Sequence, residues 1–574
     1  MHGINLSVIP EFKNGERLLS VDGNLAGMRN LLPLSNASMF GAGKDPRDMR
    51  NLMRKLSARI SRETGRRNDA NTPAEENPNL PSGYTYLLQF IAHDMVNTSI
   101  SLAATEGRRF GFQNARQQPL TLDTIYGGGP DVTPQAYEFS RICAQSRGFM
   151  PRTRLRAGRV RDRSGKTAGM PFADIGRAAP IDVMDDGIPG GGSAACCLRT
   201  EALTADARNE DQALVAQVTL LFHRLHNFVL EQLDLALPPM TAPDAYRNFI
   251  CARYIVTLFY RKIIVKDVLY RLLDPSVYRY YFLPGIDKTR LVSDKDAWGR
   301  IPVEFSHGAF RCGHAMIRNS YRVNSDEALD SGRAMQFSSR RSPAFTPLSE
   351  DWVVKWEQFF EINGKNRPRN YSRRLRPNFS SLARSEFFFA PLIPNADGNG
   401  DAAGLPNRDL VSAVFARIWS VPKIIDALRT RSAELANFLP AYDEHIPALT
   451  NWLKATADPG GMTEQFEPED IVAIANDPPL PFFVLYEADV KHDGQRLGPL
   501  GSIIIAETMV GAMESYPLQV GQSTFDPLLQ LKEQADRLIG LGVSDDALAK
   551  MPEIESFEEL LTFMQTNGLL DNEN

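Results

Sequence analysis

Two histidines stand in local wording suited to redox chemistry. His93 closes the run Tyr86-Leu87-Leu88-Gln89-Phe90-Ile91-Ala92-His93, and His314 closes Ala309-Phe310-Arg311-Cys312-Gly313-His314. A neutral imidazole near physiological pH both accepts and returns a proton, which suits His93 to acid/base work on a peroxide. An imidazole is also a common axial ligand of haem iron. His314 fits that role, with Gly313 leaving room for a flat macrocycle and Arg311 placed to meet a propionate through charge-assisted hydrogen bonds. Between the two histidines lies Asp206-Ala207-Arg208-Asn209-Glu210-Asp211. Arg208 can stabilise the negative charge that develops as an O–O bond breaks. Gln89 lies four residues before His93, on the same helix face, where it can hold a water or a peroxide in line. Each residue alone is ordinary, and a lone histidine in an apolar stretch is more often a satisfied core residue. Their combination makes peroxide chemistry at a haem the first hypothesis.

Helices must position these groups. Apolar periodicity predicts a helix over residues 84–101, carrying Gln89 and His93, and a strong helix over 211–233. Thr241-Ala242-Pro243-Asp244 reads as a helix start, with a cap, a proline and an early acid; that helix runs to about Leu272. Further helices are expected near 351–361, 410–420 and 500–514, and Phe310 to Met316 reads as a short helical segment. Residues 478–489 suit either a strand or a buried helix. Tyr126-Gly127-Gly128-Gly129-Pro130 is a tight turn and residues 187–192 a flexible one. Residues 44–67 are basic and polar, and 68–81 read as a linker. From Phe525 onward two or three small amphipathic helices are expected. The fold class is mainly α, a large single helical domain with long loops and little β. The expected division is 1–80 as an N-terminal extension wrapping the core, 81–520 as the main domain, and 521–574 as a small helical C-terminal appendage.

The 574 residues, 43% of them hydrophobic, suffice for a large core. Length alone allows several domains, but site residues spread from 89 to 417 should converge in one unit. A net charge of −5 gives no global basic field for nucleic acid or anionic membrane. Five cysteines do not make a disulfide framework. The vicinal pair Cys196-Cys197 lacks a CxxC or zinc spacing, so buried or loop thiols are expected. No signal peptide is evident and no run reads as a membrane span, so a cytoplasmic protein is expected. Ser164-Gly165-Lys166-Thr167 looks like the end of a phosphate loop, but its upstream glycine is misplaced. Asp185-Asp186 and Asp545-Asp546 read as turns or helix starts, and His223 and His226 have no further ligands nearby to make a metal site.

Several colinear segments resemble the animal-type haem peroxidase family, the peroxidase–cyclooxygenase superfamily, in its bacterial branch. Gln89-Phe90-Ile91-Ala92-His93-Asp94 is similar to the distal motif Gln-Phe-x-Asp-His-Asp. Leu122-Asp123-Thr124-Ile125-Tyr126-Gly127 is similar to Leu-Asp-Ser-Val-Tyr-Gly. Asp206 to Asp211, followed by Phe222-His223-Arg224-Leu225-His226-Asn227, resembles Asp-Pro-Arg-Asn-Asp-Glu…Phe-x-Arg-x-His-Asn. Phe310-Arg311-Cys312-Gly313-His314 matches the proximal Phe-Arg-x-Gly-His, and Phe482 to Glu487 with Arg496 to Gly501 match a late segment. The resemblance spans roughly residues 80–515.

It implies a haem b peroxidase domain that reduces hydrogen peroxide and oxidises a small organic or lipid donor. His93, Arg208 and Gln89 would be the distal residues and His314 the iron ligand. Arg311 and Arg417 would bind propionates, and His226 would support helix packing. The family's two ester-forming acids fall at Ala92 and Asp211, so at most one ester link is possible, through Asp211. Gln212 stands where one member has a linking methionine. The asparagine that usually bonds the proximal histidine falls at Val414, so another acceptor must fix that imidazole. A family calcium site falls on Asp94, Asp123 and Thr121, with fewer charges than calcium favours. Two other readings stay open. One is a fatty-acid dioxygenase or biosynthetic oxygenase, against which stands Arg311 where such relatives carry a radical tyrosine. The other is a non-catalytic haem-binding protein. The oligomeric state is not legible.

Overall fold

The computed structural model describes residues 7–13, 16–22, 26–60, 75–97, 113–116, 118–140, 150–161, 172–178, 181–182, 198–283, 290–292, 298–334, 348–362, 364, 368–384, 404–455, 466–520, 523–525, 531–540 and 543–570. Helices dominate, and every sheet among the described residues is a two-stranded antiparallel ribbon. The mainly α class expected from the sequence is the observed one. The phosphate-loop decoy, Asp185-Asp186, the 187–192 turn and the Cys196-Cys197 pair lie outside the described residues. Cys251 and Cys312 are buried free thiols.

Five early helices build the frame: α1 Pro46–Ile60, α2 Gly83–Met95, α3 Asp123–Tyr126, α4 Ala213–Ala236 and α5 Ala242–Ile263. α5 starts as its sequence requires. The Thr241 hydroxyl accepts from the Asp244 N–H and the Asp244 carboxylate accepts from the Thr241 N–H, a reciprocal cap with Pro243 in the first turn. It continues through a π turn, Ile264–Val268, into Leu269–Leu272. The widened turn delivers Asp267, whose Oδ2 accepts from the Tyr84 hydroxyl of α2 at 2.7 Å and from the Phe557 N–H at 2.9 Å. One carboxylate thus ties α2 and the start of helix Phe557–Thr566 to the helix that follows α5. The C-terminal residues Phe557, Leu561 and Met564 belong to the same continuous core as Leu31 and Met53.

α4 is long and apolar enough to cross a membrane by length and composition alone. Most of it is buried inside the protein, where Phe222 stacks on Phe90 at 4.9 Å. His226 supports its packing: Nδ1 meets the Tyr126 hydroxyl at 3.1 Å and Nε2 meets the Thr153 carbonyl at 2.9 Å.

Several local expectations change. The polar stretch 44–67 contains α1, which buries Met49, Met53, Leu56 and Ile60 on one stripe. The supposed linker contains the strand Glu76–Pro81, paired with Tyr371–Arg373. Residues 351–361 form two 3-10 turns, Glu350–Trp352 and Trp356–Gln358, rather than a helix. Residues 478–489 resolve as the helix Leu480–His492, and Asp545-Asp546 open a short helix. The helix expected at 410–420 is Leu405–Phe415, which ends before Arg417 turns left-handed at φ 54°.

Candidate functional site

α2 and the 3-10 segment Ala309–Met316 face each other across a cavity of about 340 Å³, within the range of small-molecule sites. Gln89, Ala92 and His93 line it from α2, and Phe310, Arg311, Gly313 and His314 from the opposite wall. Arg208, Asp211 and Gln212 close one side, and Leu405, Arg408 and Asp409 another. Six residues expected at the site therefore meet around one space: Gln89, His93, Arg208, Asp211, Arg311 and His314.

His93 is held by groups the sequence reading did not single out. Its Nδ1 lies 3.1 Å from Asn209 Oδ1. Asn209 Nδ2 donates to the Thr124 carbonyl at 3.1 Å, and the Thr124 hydroxyl donates to Asn209 Oδ1 at 2.9 Å. The amide is thereby fixed with its oxygen toward the imidazole, so Nδ1 carries the proton and Nε2 keeps a lone pair. Burial first, and the Arg208 charge second, lower the His93 pKa to about 4. The imidazole is a neutral base at pH 7.

Arg208 reaches the cavity but is tightly held. It donates to Asp206 through Nε at 3.0 Å and Nη2 at 2.6 Å, to the His93 carbonyl at 2.8 Å and to the Val96 carbonyl at 2.6 Å. These bonds use four of its five N–H groups. Arg116 donates to the His93 carbonyl at 3.1 Å and to Asp206 at 2.5 Å. Asp206 pays a burial cost, yet the two arginines hold its pKa far below the usual carboxylate range. Gln89 is oriented by Gln212, whose Nε2 donates to Gln89 Oε1 at 3.1 Å.

On the opposite wall, His314 Nδ1 lies 2.7 Å from Asp409 Oδ2. A carboxylate there accepts from Nδ1–H and leaves Nε2 bare as a ligand atom. The acceptor expected to be missing at Val414 is thus supplied five residues earlier on the same helix; Val414 instead packs against the core. Arg311 lies beside the pair, with Nε bonded to the Ser306 carbonyl at 2.8 Å and Nη1 3.8 Å from Asp409 Oδ1.

Arg417 is a correction. It does not line the cavity: the left-handed residue sends its side chain to Asn36 Oδ1 at 3.0 Å and Met39 Sδ at 3.3 Å. Arg408, one helical residue before Asp409, joins Arg208 and Arg311 as the third arginine lining the cavity.

These residues fit a haem. The cavity is lined by two imidazoles, each with its Nδ1 tied down. A Cβ at Gly313 would meet no protein atom within 4 Å, so the space in front of it is open where a macrocycle would lie. Arg311 and Arg408 can take its propionates. Ala92 offers no carboxylate for an ester, whereas Asp211 lines the cavity. Gly313→Val should accordingly leave the apoprotein's Tm unchanged and weaken haem uptake roughly tenfold or more, because overfilling a packed site costs about 1–3 kcal/mol. A haemin titration followed by Soret absorbance checks this.

Calcium does not fit the residues proposed for it. Asp94 accepts from the N–H groups of Leu122 at 3.0 Å and Thr124 at 3.3 Å. Asp123 pairs with Arg253 at 2.9 Å, and the Thr121 hydroxyl is bonded to the Gln118 carbonyl at 2.6 Å. Among the described residues no cluster of three His, Cys, Asp or Glu side chains is placed to hold a metal ion.

The fold and the site together define a mainly helical protein with two imidazoles lining one cavity, an arginine beside one and a carboxylate behind the other. The family model for animal haem peroxidase matches residues 185–358, about a third of the chain. The matched segment holds Arg208 and His314, while His93 and Asp409 lie outside it. Among solved structures the chain is similar to peroxidase A from Dictyostelium discoideum, at 12% identity and a TM-score of 0.50, over 96% of this chain and 94% of that one. It is also similar to the fatty acid alpha-dioxygenases of Oryza sativa (14% identity, TM-score 0.45, 86% of this chain and 84% of that one) and Arabidopsis thaliana (14%, 0.46, 93% and 78%). No curated protein matches the sequence.

Proposed function

We propose that this protein is a haem-dependent peroxidase that reduces hydrogen peroxide and oxidises a small organic or lipid donor. The observation that carries this reading is the pair of opposed imidazoles with fixed tautomers, His93 backed by Asn209 and His314 backed by Asp409. His314 Nε2 would hold haem b, with Arg311 and Arg408 at its propionates and at most one ester link, through Asp211. Bound there, haem supplies the redox chemistry. The chain's own residues manage protons and charge. His93 Nε2 takes a proton from the peroxide and returns it to the departing oxygen, which leaves as water. Arg208 keeps one N–H and a full positive charge near that oxygen. Gln89, held by Gln212, positions the peroxide or a water.

The pH dependence follows from burial. The proton-accepting form of His93 is neutral, and its pKa is lowered to about 4. The rate constant for peroxide should therefore fall on acidification through about pH 4 and stay level between pH 5.5 and 7.5. A midpoint near 6.5, the ordinary imidazole value, would contradict the buried geometry. Stopped-flow measurement across pH 3.5–8 reads this directly.

The function itself is tested by reconstituting the purified protein with haemin. A Soret band that shifts on adding peroxide, with turnover of a guaiacol-type donor, supports the reading. Tyr86, which lines the cavity and is hydrogen-bonded to Tyr321, favours a second reading as a fatty-acid oxygenase. Oxygen uptake with an unsaturated fatty acid, in the absence of donor turnover, would select it.

A further inference from the structure

The loop that packs under the distal histidine's helix is held by arginines of α5. Leu120 and Leu122 both adopt left-handed backbone, φ 61° and 59°, without being glycine. Such residues persist only where their surroundings over-determine them. The surroundings are visible. Arg261 Nε donates to the Leu120 carbonyl at 2.7 Å, and its Nη2 anchors on the Tyr516 carbonyl at 2.6 Å. Arg253, two turns earlier on α5, pairs with Asp123 at 2.9 Å and lies over the Tyr126 ring at 5.1 Å. Asp94 of α2 receives the Leu122 and Thr124 N–H groups.

The two carboxylates and the Leu120 carbonyl of this loop region are therefore already engaged by donors, Asp123 Oδ1 by the Thr121 hydroxyl as well as by Arg253. Asp123 is met by a guanidinium, the Leu120 carbonyl by a second guanidinium and Asp94 by backbone amides. A cation beside Asp123 would be repelled by Arg253, and calcium needs six to eight oxygens. We propose that Arg253 and Arg261 form a built-in cationic clamp that holds the 118–124 loop against α2 in place of a bound divalent cation. The clamp matters to the site because Thr124, next to Asp123, bonds the Asn209 amide that meets His93.

The inference does not depend on peroxidase activity, and its test uses none. The purified full-length protein is assayed for calcium by elemental analysis, then melted with and without EDTA and with added calcium chloride. Wild type should hold far less than one calcium per chain and keep its Tm within about 1 °C in all three conditions. Arg253→Gln should lower the Tm by about 2 °C and raise hydrogen exchange in the 118–124 amides, and Arg253→Lys should restore part of both. About one calcium per chain in wild type, removable by EDTA with a fall in Tm, would overturn the proposal. So would an Arg253→Gln protein whose Tm and 118–124 exchange match wild type.

Discussion

Haem-loaded His93→Ala is expected to react with peroxide about 10²–10⁴-fold more slowly than wild type, the usual contribution of a positioned acid/base, with its Soret band before peroxide unchanged. The size of the effect follows from the geometry. Among the described residues that α2 sends to the cavity, His93 is the one basic proton acceptor, and it acts through Nε2 because Nδ1 is committed to Asn209. Arg208 cannot substitute, since a guanidinium does not deprotonate in this range. The variant should still fold. Asn209 keeps the Thr124 hydroxyl on its oxygen and the Thr124 carbonyl on its amide nitrogen, so no buried partner is orphaned. Arg116 and Arg208 bond the backbone carbonyl of residue 93, which alanine retains. Added imidazole should recover part of the rate, because the space vacated by the ring adjoins the cavity. A His93→Ala protein that reacts within threefold of wild type would remove the acid/base role.

How much of this was legible depended on distance along the chain. His93, Arg208 and His314 were readable because each sits in a short run whose neighbours have the same job. α4 and α5 were readable because apolar length and a terminal cap are local signals. Asp409 was not. It lies 95 residues from His314, and only the packing of helix Leu405–Phe415 against the proximal segment brings the two together. The sequence placed both Val414 and Arg417 on one helix expected over 410–420; the left-handed turn at Arg417 ends that helix and sends its side chain to Asn36 instead. Asn209 stood inside a quoted motif, yet its role appears only once Thr124 fixes the amide. α1 was hidden because four buried apolar residues at spacings of four, three and four are outnumbered by charged neighbours. The reverse error occurred at 351–361. Trp352, Val353, Val354, Trp356, Phe359 and Phe360 are all buried, a density that reads as helix but is met by turns packed on several sides.

The second large effect is expected behind the other imidazole. In haem-loaded Asp409→Asn, the ferric/ferrous midpoint potential should rise by about 60–120 mV, equivalent to the 10–100-fold changes typical of removing a ligand's hydrogen-bonded carboxylate. The sign follows from charge. A carboxylate 2.7 Å from Nδ1 pulls the His314 proton toward itself and makes Nε2 a stronger donor. A stronger donor favours the more positive iron state, so removing the negative charge favours the ferrous form. Asparagine keeps a carbonyl acceptor of the same shape, which isolates charge from hydrogen bonding; alanine would also leave a buried N–H unpaired. Arg311, 3.8 Å from the other carboxylate oxygen, offsets part of the charge. Arg311→Gln should therefore move the potential the opposite way, downward and by less, and the double variant should lie near Asp409→Asn alone. Spectroelectrochemical titration of the four proteins separates these terms. Equal potentials in wild type and Asp409→Asn would mean that the carboxylate carries no effective charge toward His314, and the proximal wall would then have to be understood as packing alone.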